Sequence, residues 1–221
     1  MNITVVGAGV IGCAVAHELA SRGARVQLVD PRGPGRGATG ASAGILAPLI
    51  EGHSQALRRL GTCSLALWDD FIRRIQIESD QTIEYERSGT LQIALNDQQS
   101  ANLTDLSRSL QSAGVPHSVL DGRAARQMEP GVTDRATMGL LVPAHGYVGA
   151  ASLIHALMAA AARQGVSMVT TRAMSIDDVA APMLTTETCK LVRPRRLRCV
   201  TLALVAASMP GRSSTSGASG R

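Results

Sequence analysis

Within its first twelve residues the chain reads Val5-Val6-Gly7-Ala8-Gly9-Val10-Ile11-Gly12, and Asp30 closes the apolar run that follows. A G-x-G-x-x-G series alone says little. Between a strand and a helix, with an acid about twenty residues on, it specifies a β-α-β unit shaped to hold a dinucleotide. Residues 3–6 read as a buried parallel strand. Gly7 lets the chain turn sharply, Gly9 lets a pyrophosphate approach the backbone, and Gly12 lets the helix lie close on the strand. The spacing predicts a helix over residues 10–22, with Ile11, Val15 and Leu19 along one face and Gly23 as its stop. Its free N–H groups and positive dipole end would point at phosphates. A second strand over residues 25–29 puts Asp30 where a carboxylate accepts from ribose hydroxyls. That carboxylate would repel a 2′-phosphate, which disfavours NADP, although Arg32 and Arg36 lie close in sequence.

The next stretch, Gly33-Pro34-Gly35-Arg36-Gly37-Ala38-Thr39-Gly40-Ala41-Ser42-Ala43-Gly44-Ile45-Leu46, is made almost wholly of small residues and ends in an apolar pair. By composition alone it could be a flexible linker. In this position the chain resembles the D-amino-acid oxidase superfamily of FAD-dependent oxidoreductases, and within it the glycine oxidases of thiamine biosynthesis. The resemblance continues through Ser88-Gly89-Thr90-Leu91-Gln92-Ile93-Ala94-Leu95, Met128-Glu129-Pro130 and Gly139-Leu140-Leu141-Val142-Pro143, and covers roughly residues 1–176. It implies FAD bound by Gly7, Gly9, Val10, Ile11, Gly12, Asp30, Ala38, Thr39, Ala43, Gly44 and Ile45. Met174 falls where the family makes a backbone contact to the adenine. It further implies oxidation of a small amine or amino acid by hydride transfer to flavin, with oxygen taking the electrons. The family holds the substrate carboxylate with an arginine from its C-terminal half, and nothing here matches it, so no catalytic residue is assigned. His53, His145 and Tyr147 are polar and near the expected site border; structural or surface roles are the expectation for each. An FAD-binding chain without turnover is the first alternative. An NAD-dependent dehydrogenase is the second, disfavoured because such enzymes usually enter another helix soon after the acid.

Composition narrows the rest. The net charge of +5 arises after Glu187, where seven basic residues and no acid occur, so residues 1–187 are mildly acidic. That argues against a nucleic-acid partner, as does the scarcity of aromatics, Trp68, Phe71, Tyr85 and Tyr147 being all there are. The four cysteines form no C-x-x-C pair and read as reduced, and the five histidines show no metal-ligand spacing. No segment has the length of a membrane span, and the apolar N-terminus lacks the basic start of a signal peptide, so a cytoplasmic location is the expectation.

The predicted fold class is α/β: a Rossmann-like, doubly wound FAD-binding domain with an inserted, incomplete antiparallel substrate domain. Residues 1–50 and 151–180 are assigned to the first and 51–150 to the second. A long helix over 54–78 carries Leu60, Leu67, Phe71 and Ile75 near one face, supported by Leu57, Trp68 and Ile72. Strands at 83–85 and 90–95 flank a turn at Ser88-Gly89, and strands at 138–142 and 147–148 bracket another at 143–146. Helices are expected from residue 96 to Gly114, from an Asp121 N-cap to Met128, and over 151–164. Residues 181–221 form an atypical basic tail, expected to be disordered. An apolar run over 200–207 imitates a family strand without its Gly and Trp, and 188–199 are basic where the family has a hairpin. The expectation is a truncated or frame-shifted product of a glycine-oxidase-like gene.

Overall fold

The computed structural model describes residues 1–50, 54–177 and 183–187. The elements run β1 (Asn2–Val6), α1 (Val10–Ser21), β2 (Arg25–Val29), a 3-10 turn (Ala38–Ala41), β3 (Ile45–Leu46), α2 (Gln55–Ser79), β4 (Tyr85–Glu86) and β5 (Thr90–Ala94). They continue with α3 (Asp97–Ser112), β6 (Ser118–Asp121), α4 (Gly122–Met128), β7 (Met138–Val142), β8 (Gly146–Val148), α5 (Ala150–Arg163), β9 (Ser167–Val169), β10 (Ala173–Asp177) and β11 (Met183–Thr186).

The nucleotide-type unit forms as its glycines dictate. β1 and β2 pair in parallel, Asn2 opposite Arg25 through Val6 opposite Val29, and β9 joins the far side of β2, also parallel. A parallel sheet is covered on its faces. The core here is Ile3, Val5, Val26 and Leu28 from the strands, with side chains of α1, of α5 and of the second half of α2. The face of α1 that turns inward is Cys13, Ala16, His17 and Ala20, an i, i+3, i+4, i+7 stripe. This corrects the expected stripe: Ile11 is exposed, and Val15 and Leu19 are only partly covered. Close approach of helix to sheet selects small residues over the largest apolar ones.

The intervening chain builds antiparallel sheets, giving the mixed α/β architecture that the sequence predicts. One sheet has the order β5-β7-β6, with α3 and Leu49 against the face of Leu140, Val142 and Ala94. A second has the order β3-β8-β4. The strands flanking Ser88-Gly89 therefore do not pair with each other, and neither do those flanking residues 143–146. β4 pairs with β8, and β5 pairs with β7. Both connections step from one sheet to the other side by side, held where the Gly89 amide donates to the His145 carbonyl at 2.9 Å. Local turn chemistry reads as a hairpin in both places; long-range pairing decides otherwise.

Three helix starts carry side-chain caps, of which the sequence marks Asp121. Ser54, Asn96 and Asp121 each accept a bond from an amide three residues on, at 3.4, 2.9 and 2.7 Å. Asp80, at φ 56°, ends α2 in the left-handed region. β10 and β11 pair as an antiparallel hairpin, Ala173 opposite Thr186. A hairpin thus precedes the basic stretch where one was sought, and it takes in residues 183–186, which the sequence reading gave to the tail. The apolar run at 200–207, the basic residues 188–199 and His53 lie outside the described residues. Among the described residues no helix is long and apolar enough to cross a membrane, and none cluster as a metal site.

Candidate functional site

The glycine turn sits between the end of β1 and the start of α1. Gly7 has φ +100° and donates its amide to the Val29 carbonyl at 2.8 Å, which ties the turn to β2. A β-carbon on Gly12 would stand 1.8 Å from the Gly7 carbonyl oxygen, so this position tolerates only glycine. A β-carbon on Gly9 would meet only the Thr39 hydroxyl within contact range, at 3.2 Å. Gly9 is therefore not a packing requirement of the fold, and its bare face is available to a ligand.

Polar groups converge on this turn. The Thr39 hydroxyl accepts the Val10 amide at 3.0 Å, capping α1 from a distant segment. The Ile11 and Gly12 amides, in the first turn of α1, have no intrahelical acceptor and lie at the positive end of the helix dipole. Asp30 accepts the Ala8 amide through Oδ2 at 3.0 Å and the Arg32 amide through Oδ1 at 2.7 Å. A carboxylate offers about four acceptor positions, so Asp30 braces the turn and keeps capacity for ribose hydroxyls. The structure thus brings together Gly7, Gly9, Val10, Ile11, Gly12, Asp30 and Thr39.

Residues 33–45 continue from this cradle as an open strip. The Gly35 amide donates to the Ala8 carbonyl at 2.8 Å, and a β-carbon on Gly40 would lie 2.5 Å from the Gly35 oxygen. Ala38, Ala43 and Ile45 are exposed. Gly44, at φ +70°, passes so close to β8 that a β-carbon would fall 1.8 Å from the Val148 oxygen. The strip ends at an apolar cleft of 430 Å³ beside β3, bordered by Ile45, Leu46, Pro48, Leu57, Leu60 and Trp68. Met174 stands apart from these residues. It lies exposed on β10, reached through Thr171 from β9, whose Val169 carbonyl accepts the Asp30 amide at 3.2 Å.

Reactive groups near the strip are few. Burial, and secondarily the Asp30 charge, pushes the Cys13 thiol up to about 12, so it is no nucleophile. Tyr147 pairs across β8 with Ile45 and Glu86; partial burial raises its phenol, and Glu84 and Glu86 raise it further. His145 is fully buried, and burial followed by the Arg87 charge lowers its imidazole. Arg87, which the sequence reading passed over, ties α2 to the strand connections. Its Nη1 donates to the Ala144 carbonyl at 2.8 Å, and its Nη2 to the Leu65 carbonyl at 2.6 Å and to Asp69 at 3.1 Å. No periodicity or motif marks it. The brace made by Asp30 and the cap made by Thr39 were likewise missed, because each spans more than twenty residues.

Comparison with known proteins agrees with this geometry. The model of the family described as DAO, FAD dependent oxidoreductase, matches residues 2–208. Glycine oxidase of Geobacillus kaustophilus is 31% identical over 166 residues, covering 74% of this chain and 44% of that protein. The tRNA 5-methylaminomethyl-2-thiouridine biosynthesis bifunctional protein MnmC of Pseudomonas aeruginosa is 31% identical over 176 residues, covering 78% of this chain and 25% of its own length. The crystal structure of the G. kaustophilus glycine oxidase superposes with a TM-score of 0.80 at 28% identity, over 84% of this chain and 51% of that one. The chain spans about half the length of the glycine oxidase it matches.

Proposed function

The chain belongs to the FAD-dependent oxidoreductase family, whose cofactor is FAD, and on that premise we propose that it acts in the oxidation of a small amine or amino acid. The observation that supports this most directly is the succession, along one chain segment, of the α1 N-terminus with Asp30 and Thr39, a hollow lined by Thr39, Gly40 and Ala43, and the apolar cleft at Ile45. The chemistry FAD supplies when bound is two-electron oxidation: hydride leaves the substrate α-carbon, the resulting imine hydrolyses, and oxygen is reduced to hydrogen peroxide. The chain's own residues position and enclose. Asp30 accepts from ribose hydroxyls while keeping its bond to Ala8. The Ile11 and Gly12 amides face the pyrophosphate, and bare Gly9 admits it. Ala38, Ala43 and Gly44 leave room for the cofactor to run past, and Thr39 fixes the helix end it meets. Ile45 and its apolar neighbours would exclude water beside the ring, and the main chain at Met174, farther along from Asp30 through β9, would be the part to meet the adenine. The unpaired Cys13 and Cys63 support a cytoplasmic setting.

The test has two arms. Flavin fluorescence titration should show FAD binding that NADH does not compete away; tight NADH binding with no flavin affinity would remove the assignment. A peroxide assay with glycine, sarcosine and D-amino acids then reads turnover. A second reading, FAD binding without turnover, is favoured by one observation. Among the described residues the cleft at Ile45 has no charged side chain in its lining, hence no anchor for a substrate carboxylate. That reading predicts no peroxide from the 221-residue chain; turnover of about 1 per second or faster would overturn it.

A further inference from the structure

We propose that His145 is a positioning residue for the flavin-facing segment, its buried imidazole holding the Leu49 amide and so fixing how residues 43–45 approach the ring. The proposal rests on the FAD reading above. β3 is only two residues long, and the chain leaves it at once through Ala47 and Pro48. At one end the segment is held by β8, whose Val148 amide donates to the Gly44 carbonyl at 2.9 Å. At the other end the Leu49 amide donates to His145 Nε2 in a long bond of 3.4 Å, both residues being buried.

The ring's proton can be placed from its partners. An amide only donates, so Nε2 is the bare nitrogen. The proton sits on Nδ1, which donates to the Thr90 hydroxyl at 2.7 Å. The His145 main chain is fixed independently, its carbonyl accepting the Gly89 amide at 2.9 Å and its amide donating to Val142 at 3.3 Å. The side chain is thus a strut from the β5-β7-β6 sheet to Leu49, just past the strip. A second proton would set an N–H against the Leu49 N–H and break the strut.

Residues 45–50 carry no titratable group. Of the charged groups on the elements around the ring, Arg87 beside β4 is the one that acts on it. Arg87 donates to Ala144 next door, and Asp69 partly offsets its charge. Burial and Arg87 both oppose protonation, so the folded imidazole titrates below its ordinary value of 6.5. The sign follows: the strut is complete above that value and is lost as pH falls through the folded pKa.

The experiment compares the chain with H145Q, whose Oε1 can stand where Nε2 stood, and with H145N, whose shorter amide reaches Thr90 alone. Leu49 amide protection by hydrogen exchange, and FAD affinity by fluorescence, are measured at about pH 8 and at a lower pH where the His145 ring resonances show the imidazole doubly protonated. The unaltered chain should lose Leu49 protection and several-fold in FAD affinity at the lower pH. H145Q should match it at the higher pH and stay flat. H145N should be weak at both. FAD binding that ignores pH and H145N alike would overturn the proposal and leave the cofactor reading standing. Leu49 protection that responds as described, in a chain that binds no FAD, would overturn the cofactor reading and leave the His145 contact standing.

Discussion

Two glycines of one turn separate the demands of fold and ligand. Gly12 has a backbone oxygen 1.8 Å from where a β-carbon would sit, whereas Gly9 has only a hydroxyl at 3.2 Å. Gly12→Ala should therefore cost about 3 kcal/mol or more in urea unfolding, the range of severe backbone clashes. Gly9→Ala should cost about 1 kcal/mol or less, the scale of a disturbed helix cap, yet weaken FAD at least about tenfold by crowding the pyrophosphate. Equal losses of stability in the two variants would sink this division. Thiol chemistry gives a second check at this scale. Cys13 is fully buried, its thiol pushed to about 12, while Cys63 is exposed. Iodoacetamide at mildly alkaline pH should label Cys63 in the folded chain and reach Cys13 only after unfolding; prompt labelling of Cys13 would contradict its burial. At residue scale the glycines and Asp30 were legible because their spacing is local and each has one backbone reason to be there. Asp30's bond to Ala8, Thr39's cap on Val10 and the His145 strut were not, since each joins segments that only the folded chain brings together.

The elements meet through Arg87 more than through any sequence signature. Its guanidinium satisfies the Leu65 carbonyl within α2 and the Ala144 carbonyl in the connection to β8, and pairs with Asp69. Tyr85 lies under it, 5.6 Å from ring centre to guanidinium carbon, and stacks in turn on Trp68. Arg87→Ala should destabilise by about 1–3 kcal/mol, because two carbonyls lose a charged donor. Arg87→Lys should recover only part, an ammonium being unable to reproduce the planar fork. Urea midpoints of the two variants settle the point, and full recovery by lysine would show that charge alone matters. Elements themselves were readable from sequence where apolar pattern and stop or start residues agreed, as in β2, α4 and α5. Their pairing was not. Ser88-Gly89 and residues 143–146 carry ordinary turn chemistry, and nothing local says that each is a crossing between two sheets. The inward face of α1 was misjudged for a related reason: the tight contact that Gly12 permits favours Cys13 and Ala16 over Ile11.

At the scale of the whole molecule, α2 carries an exposed apolar edge among the described residues. Leu57, Leu60, Leu67, Phe71 and Ile75 lie near one face of α2, as the spacing predicts. Among the described residues Ile75 is wholly buried and Phe71 packs against the same core, which α5 covers. Leu60 and Leu67 are each 67% exposed and Leu57 52%, with Ile45 beside them at 63%. The side of α2 that packs is Leu65, Trp68, Ile72 and Ile75, which corrects the expected stripe: Leu60 and Leu67 lie beside it, because periodicity shows that a helix is amphipathic without fixing which edge of its apolar sector is covered. An exposed apolar patch of this kind favours association. Sedimentation of the purified chain should show weight-average mass rising with concentration. Leu60→Glu with Leu67→Glu should shift it toward monomer while moving the unfolding midpoint little, since exposed substitutions fall within about 0.5 kcal/mol. A chain that stays monomeric at about 100 μM, or a double variant that associates as strongly as the parent, would show that this face is not what drives association.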